Sequence, residues 1–78
     1  MFYTYVLKSE KDKKLYVGFS LDLKKRVIEH NKGIVDATKN RRPLKLIYYE
    51  ACNNRDKAIE REKYFKTGFG RRFLKMRT

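Results

Sequence analysis

The chain has one cysteine, Cys52, one histidine, His30, one proline and no tryptophan among its 78 residues. A lone cysteine excludes a disulfide within the chain, and one histidine with one cysteine excludes a tetrahedral zinc site built from it. No apolar run approaches the ~18 residues that a membrane helix needs, so no membrane-spanning segment is expected. The opening residues 1–5 (MFYTY) lack a basic segment leading into an apolar stretch, so no signal peptide is visible. Without disulfide or leader, a cytoplasmic protein is the simple expectation. Acidic residues are also few. Nine Asp and Glu face 21 Lys and Arg, for a net charge of +12. Such an excess attracts polyanions. Nucleic acid is the leading partner and an anionic membrane surface the weaker alternative.

What is present suffices for a fold. Apolar residues make up 41% of the chain, with eleven Phe and Tyr, which excludes full disorder. The length predicts a single domain, 1–78, with a small core and marginal stability. Residues 2–8 (FYTYVLK) and 14–19 (KLYVGF) follow a strand pattern and flank a polar turn, so they read as an antiparallel hairpin. Ser20 is the expected cap of a helix from Leu21 to about Asn31, with Asp22 in its first turn and a stop near Gly33. Residues 34–42 read as a loop. Leu44 to Ala51 predicts a third strand. Asn53 or Asn54 caps a helix from Arg55 to Lys66, which Gly68 and Gly70 break. A short basic helix, Arg71 to Met76, follows. The order β-β-α-β-α-α predicts an α+β fold, a small three-stranded antiparallel sheet flanked by helices.

Two helices carry polar groups on core-facing sides. In the first, Leu23 and Val27 form an apolar stripe, and Arg26 and His30, four apart, border it. The plain reading is an arginine whose stem packs on the core beside a hydrogen-bonded histidine. In the second, Glu62 falls between Ala58 and Phe65 on the apolar side, while Glu60 points elsewhere. A carboxylate placed there costs several kcal/mol unless it meets a cation. That cation is either a structural Arg or Lys or a bound metal ion. Tyr5 and Tyr16 lie on the paired strands, where tyrosine commonly packs. Gly18 in a strand marks either a bulge or a close approach. Cutting a phosphodiester needs such a set: a group to take a proton from water, a cation for the phosphate, and help for the departing 3′ oxygen.

Taken together these elements resemble the GIY-YIG nuclease superfamily, in its short stand-alone bacterial type. The chain is similar to the N-terminal catalytic domain of the excision-repair incision subunit. The second signature stands here as Tyr16-Val17-Gly18, and the first is degenerate, Tyr3-Thr4-Tyr5. Ten residues separate Tyr5 from Tyr16, seven separate Gly18 from Arg26, and three separate Arg26 from His30. Ala58-x-x-x-Glu62 supplies the carboxylate, and His30-Asn31-x-Gly33 follows the string of the short branch.

The resemblance implies a metal-dependent endonuclease hydrolysing DNA, with a place in DNA repair. Glu62 would be the one protein ligand of a magnesium or manganese ion (Mg²⁺ or Mn²⁺). Arg26 would hold the scissile phosphate, Tyr16 would take the proton from water, and Tyr5 and His30 would orient the water or relay the proton. An unperturbed phenol, with a pKa of about 10, is ionised in only about one molecule in a thousand at neutral pH, so the rate should climb into the alkaline range. Phe19 departs from the pattern, standing where several branches carry Lys. The candidate nucleic-acid contacts are Lys24, Lys25, Lys39, Arg41, Arg42, Arg71, Arg72 and Lys75, and binding through phosphates should show no sequence preference. Two alternatives stay open. One is a nucleic-acid-binding module of the same fold with little or no turnover. The other is a basic RNA-binding protein in which Arg26 and Glu62 are simply paired. The sequence leaves the choice of DNA over RNA and the oligomeric state undetermined.

Overall fold

The computed structural model describes all 78 residues. Strand β1 (Phe2–Ser9) pairs with β2 (Leu15–Ser20) and, on its other side, with β3 (Leu44–Cys52), both antiparallel. The sheet order is β2-β1-β3, so β1 is central and β2 is an edge. Helices α1 (Leu23–Lys32), α2 (Arg55–Phe65) and α3 (Gly68–Arg77) complete the expected α+β order.

The central strand is apolar on both faces because both are covered. Tyr5 and Leu7 pack with Leu44, Leu23 and Val27 under α1. Val6 faces the other way and joins Val17, Phe65 and Leu74 under α2 and α3. The result is three layers, with α1 on one side of the sheet and α2 with α3 on the other. No helix is long and apolar enough to cross a membrane.

Three local expectations change. Asp22, not Ser20, caps α1, because its carboxylate accepts from Lys25 N at 3.1 Å. Ser20 instead closes the approach, its hydroxyl accepting from Asp22 N at 3.0 Å. The helix therefore begins two residues later than expected. Gly68 and Gly70 do not break α2. They lie in the first turn of α3, which Thr67 caps by accepting from Gly70 N. A Cβ at Gly70 would run into the Tyr64 carbonyl and Phe65, so glycine is what lets α3 start against the end of α2. The register shift of the sheet falls between Val6 and Leu7 against β3, not at Gly18. Other boundaries agree to within a residue: α2 ends at Phe65, β3 extends to Cys52, and Asn54 caps α2.

The His-Asn-x-Gly string has a structural account. His30 is buried. Asn31 clasps the first residue of β3, donating to Leu44 O at 2.9 Å and accepting from Leu44 N at 2.8 Å. Gly33 caps α1 in the left-handed conformation, φ 81°.

Candidate active site

Tyr5 projects from the central strand toward α1 and is 1% exposed. Its partner across β2 is Gly18, and a Cβ there would collide with the Tyr5 hydroxyl. Glycine at this position is therefore a close approach: it makes room for the phenol to reach α1. There the Tyr5 hydroxyl meets His30 Nε2 at 2.8 Å, and His30 Nδ1 meets Thr38 Oγ1 at 2.7 Å. His30 and Thr38 are both 0% exposed. The half-buried Tyr16 joins through its ring, 5.0 Å from His30 and 6.4 Å from Tyr5 between centroids.

Burial sets the charge states. His30 is pushed down to about 4, first by desolvation and then by the Arg26 charge, with Glu29 opposing. At neutral pH it is a neutral imidazole. Tyr5 is pushed up to about 12, again first by desolvation, with the positive charge of the neighbouring Arg26 opposing. Arg26 in turn is raised by Tyr5 and held by Glu29, at a loose 3.4 Å.

Glu62 comes from the other side of the sheet. It lies on α2 between the buried Ala58 and Phe65 and is half-buried, whereas Glu60 is exposed. Lys66, one turn on, meets its Oε2 at 3.2 Å. The Glu62 charge nevertheless reaches Tyr5 and pushes its pKa upward. Tyr16 from the one face and Lys66, the Glu62 partner, from the other come together at the edge strand β2. A hollow along that edge is lined by Leu15, Tyr16, Val17, Phe65, Lys66 and Arg71. A separate hollow between β3 and α2, with Glu50, Cys52, Lys57 and Arg61 in its wall, contains none of the expected site residues.

No group of three or more His, Cys, Asp or Glu gathers anywhere in the fold. The donor set near Tyr5 is one carboxylate, of which Lys66 meets a single oxygen. A soft, protein-caged ion does not fit this set. A hard divalent ion that keeps most of its waters and takes one carboxylate does.

The basic residues divide into groups. Lys24 and Lys25 lie on α1, Lys39 and Arg42 on the following loop, and Arg71, Arg72 and Lys75 on α3, all exposed. Arg41 differs: it is half-buried, its Nε 2.8 Å from Asp12 Oδ2. Sequence reasoning missed Thr38, Lys66 and Arg61. Arg61 grips Glu50 through two bonds of 2.9 and 2.7 Å and stacks on Phe65. For Lys66 a signal existed in the i,i+4 spacing from Glu62.

Residues 1–75 match the GIY-YIG catalytic domain. A UPF0213 protein of Staphylococcus saprophyticus is 40% identical over 75 residues, covering 95% of this chain and 90% of its own. A UPF0213 protein of Clostridium perfringens is 43% identical over 67 residues, covering 85% and 71%. The solution NMR structure of a UPF0213 protein from Bacillus halodurans superposes with a TM-score of 0.58 at 26% identity, covering 95% of this chain and 82% of that one. With a match over nearly its whole length, the chain belongs to the GIY-YIG family.

Proposed function

We propose that the protein is a divalent-metal-dependent endonuclease hydrolysing phosphodiester bonds in DNA. The observation that supports this is the cluster of Tyr5, Tyr16 and His30 on the α1 side of the sheet, with Arg26 one turn before His30 on α1. Glu62 would hold the Mg²⁺ or Mn²⁺ ion, which when bound supplies positive charge for the departing 3′ oxygen.

The chain's own residues do the rest. Arg26, partly exposed and loosely tied to Glu29, offers its guanidinium fork to the phosphate oxygens. Tyr16, at the open edge, takes the proton from the attacking water as a phenolate, after its own proton has left to solvent, so the rate rises into the alkaline range. Tyr5 and His30 orient the water. They do not store its proton, since burial raises the Tyr5 phenol and lowers the His30 imidazole and so favours the neutral form of both. Lys24, Lys25, Lys39, Arg42, Arg71, Arg72 and Lys75 supply sequence-independent phosphate contacts.

The test uses branched, nicked and single-stranded DNA with Mg²⁺ or Mn²⁺. Cleavage should vanish with EDTA and fall at least about 100-fold in Glu62→Gln. Stability of that variant should stay within about 1 kcal/mol, since Glu62 loses only an ion pair to the exposed Lys66. Equal cleavage by Glu62→Gln overturns the assignment. The Lys66–Glu62 pair favours a second reading, a nucleic-acid-binding module of this fold without turnover. Salt-sensitive binding intact in Arg26→Ala and Glu62→Gln, with no cleavage of any substrate, supports that reading.

A further inference from the structure

We propose that Tyr49 and Tyr3 form a stacking platform for an unpaired base of single-stranded DNA, with Lys24 beside them for the phosphate of that strand. This deepens the reading of DNA as the substrate and rests on it. Both tyrosines lie on the sheet face that carries Tyr5: Tyr3 two residues earlier on β1, and Tyr49 directly opposite Tyr5 on β3. Helix α1 covers only part of that face. Leu23 and Val27 pack with Tyr5, Leu7 and Leu46, whereas Tyr3 is half-buried and Tyr49 is 53% exposed. The two rings are tilted by 59° with centroids 6.3 Å apart, so neither lies flat on the other. A shallow hollow at the start of α1 results, walled by Tyr3, Tyr49, Leu21, Leu23, Asp22 and Lys24.

The wall selects the occupant. One exposed apolar residue is ordinary, but Leu21, also exposed, joins the two tyrosines in a continuous patch. A second copy of the chain is disfavoured there, because each copy brings a charge of +12. The surrounding charges favour an anion. Lys24, Lys25 and Lys32 follow along the outer side of α1, exposed and in no ion pair. The acids among them are engaged: Asp22 accepts from Lys25 N, and Glu29 meets Arg26.

Lysines alone would serve phosphates on any surface. The aromatic pair is what calls for a base. Every base has a π-face, so an open ring beside a cation takes bases without regard to sequence. In a duplex those faces are closed by the neighbouring bases, so the platform selects unpaired strands. Because Tyr49 and Tyr5 are direct cross-strand partners, the platform adjoins the Tyr5–His30 cluster.

The test measures binding of the full chain in EDTA, where a metal-dependent nuclease does not cut. The probes are a fluorescein-labelled single strand, the same strand in a duplex, and an abasic strand of equal length, which keeps the phosphates and lacks the bases. By fluorescence polarisation the wild type should bind the normal strand about five- to a hundredfold more tightly than the abasic one. Tyr49→Ala should lose a similar factor on the normal strand and about twofold or less on the duplex and the abasic strand. Tyr49→Phe keeps the ring and should stay within about threefold of the wild type on every probe. Equal losses by Tyr49→Ala on single strand and duplex, or no loss on either, overturn the proposal. If circular dichroism shows that Tyr49→Ala does not fold, the wild type and Tyr49→Phe on the normal and abasic strands decide. A wild type that binds all three probes alike removes the platform alone; one that binds none removes the DNA reading with it.

Discussion

Lowering the pH from 7.5 to 4.5 puts a proton on His30 in the unfolded chain but not in the folded one. The unfolded imidazole titrates near 6.5, while burial and the Arg26 charge hold the folded one near about 4. Arg26 and Glu29 from α1, Tyr5 from β1, Tyr16 from β2 and Thr38 from the loop surround it. Between these values the unfolded state binds more protons, so stability falls as the pH falls. The contribution is complete above 6.5 and lost on approach to about 4. That gap, at about 1.36 kcal/mol per pH unit, amounts to about 3 kcal/mol. For a domain of this size, with a total of about 4–12 kcal/mol, that is a large share.

The window is clean. The Arg61 partner lowers the Glu50 pKa from 4.5, and Arg41 holds Asp12 down to about 2, so their losses come at more acid pH. Urea unfolding followed by circular dichroism at pH 7.5, 6.5, 5.5 and 4.5 measures the effect. The wild type should lose about 2–3 kcal/mol between pH 6.5 and 4.5, and His30→Gln should lose far less over that range. A flat wild-type curve, or an equal slope in the variant, refutes the reasoning. An NMR titration of the one imidazole must also give a value well below 6.5.

Two further outcomes follow from packing and charge. In Gly18→Ala the new methyl meets the Tyr5 hydroxyl, so the Tyr5–His30 bond should break and Tm should fall by at least about 5 °C in a calorimetric scan; an unchanged Tm would show that the phenol can sit elsewhere. DNA affinity measured by fluorescence polarisation should fall about a thousandfold between 50 and 200 mM salt if six phosphates are contacted. Arg72→Ala should lower the slope by about one while Arg41→Ala, already paired with Asp12, leaves it unchanged; equal effects of the two would return Arg41 to the contact surface.

The sequence reveals those features that repeat along it. The apolar period of α1 and α2 placed Arg26, His30 and Glu62 beside the core and separated Glu62 from Glu60, because an α-helix turns spacing into a face. What depends on encounters between distant segments was hidden. Thr38 sits in a loop without periodicity, and its contact with His30 exists only once the loop has wound. Arg41 looked like any other basic residue, since its partner Asp12 lies 29 positions earlier. Ser20 and Asp22 are both good caps, and the choice rests on which oxygen reaches Lys25 N. Gly68 and Gly70 read as helix breakers, yet Gly70 serves close packing against α2.

The two tyrosines separate catalysis from positioning. Tyr5 is buried and its hydroxyl is one link of the chain Tyr5–His30–Thr38, whereas Tyr16 is half-buried and meets its neighbours through its ring. No buried side-chain polar atom in the protein lacks a partner, so removing one link strands another. Tyr5→Phe leaves His30 Nε2 buried without its partner, at a cost of about 1–3 kcal/mol. Tyr16→Phe removes a hydroxyl at an open edge and should cost less than about 1 kcal/mol. If Tyr16 takes the proton, its variant is nearly as stable as the wild type yet loses about 100-fold or more in cleavage, and the alkaline rise of the rate disappears with it. Tyr5→Phe should instead show a smaller loss and keep the alkaline rise, measured at a temperature where both variants are folded. The opposite pattern, with the alkaline rise surviving in Tyr16→Phe and vanishing in Tyr5→Phe, would exchange the roles. It would also require the buried phenol to ionise despite a pKa near 12, which only a bound cation close to Tyr5 would permit.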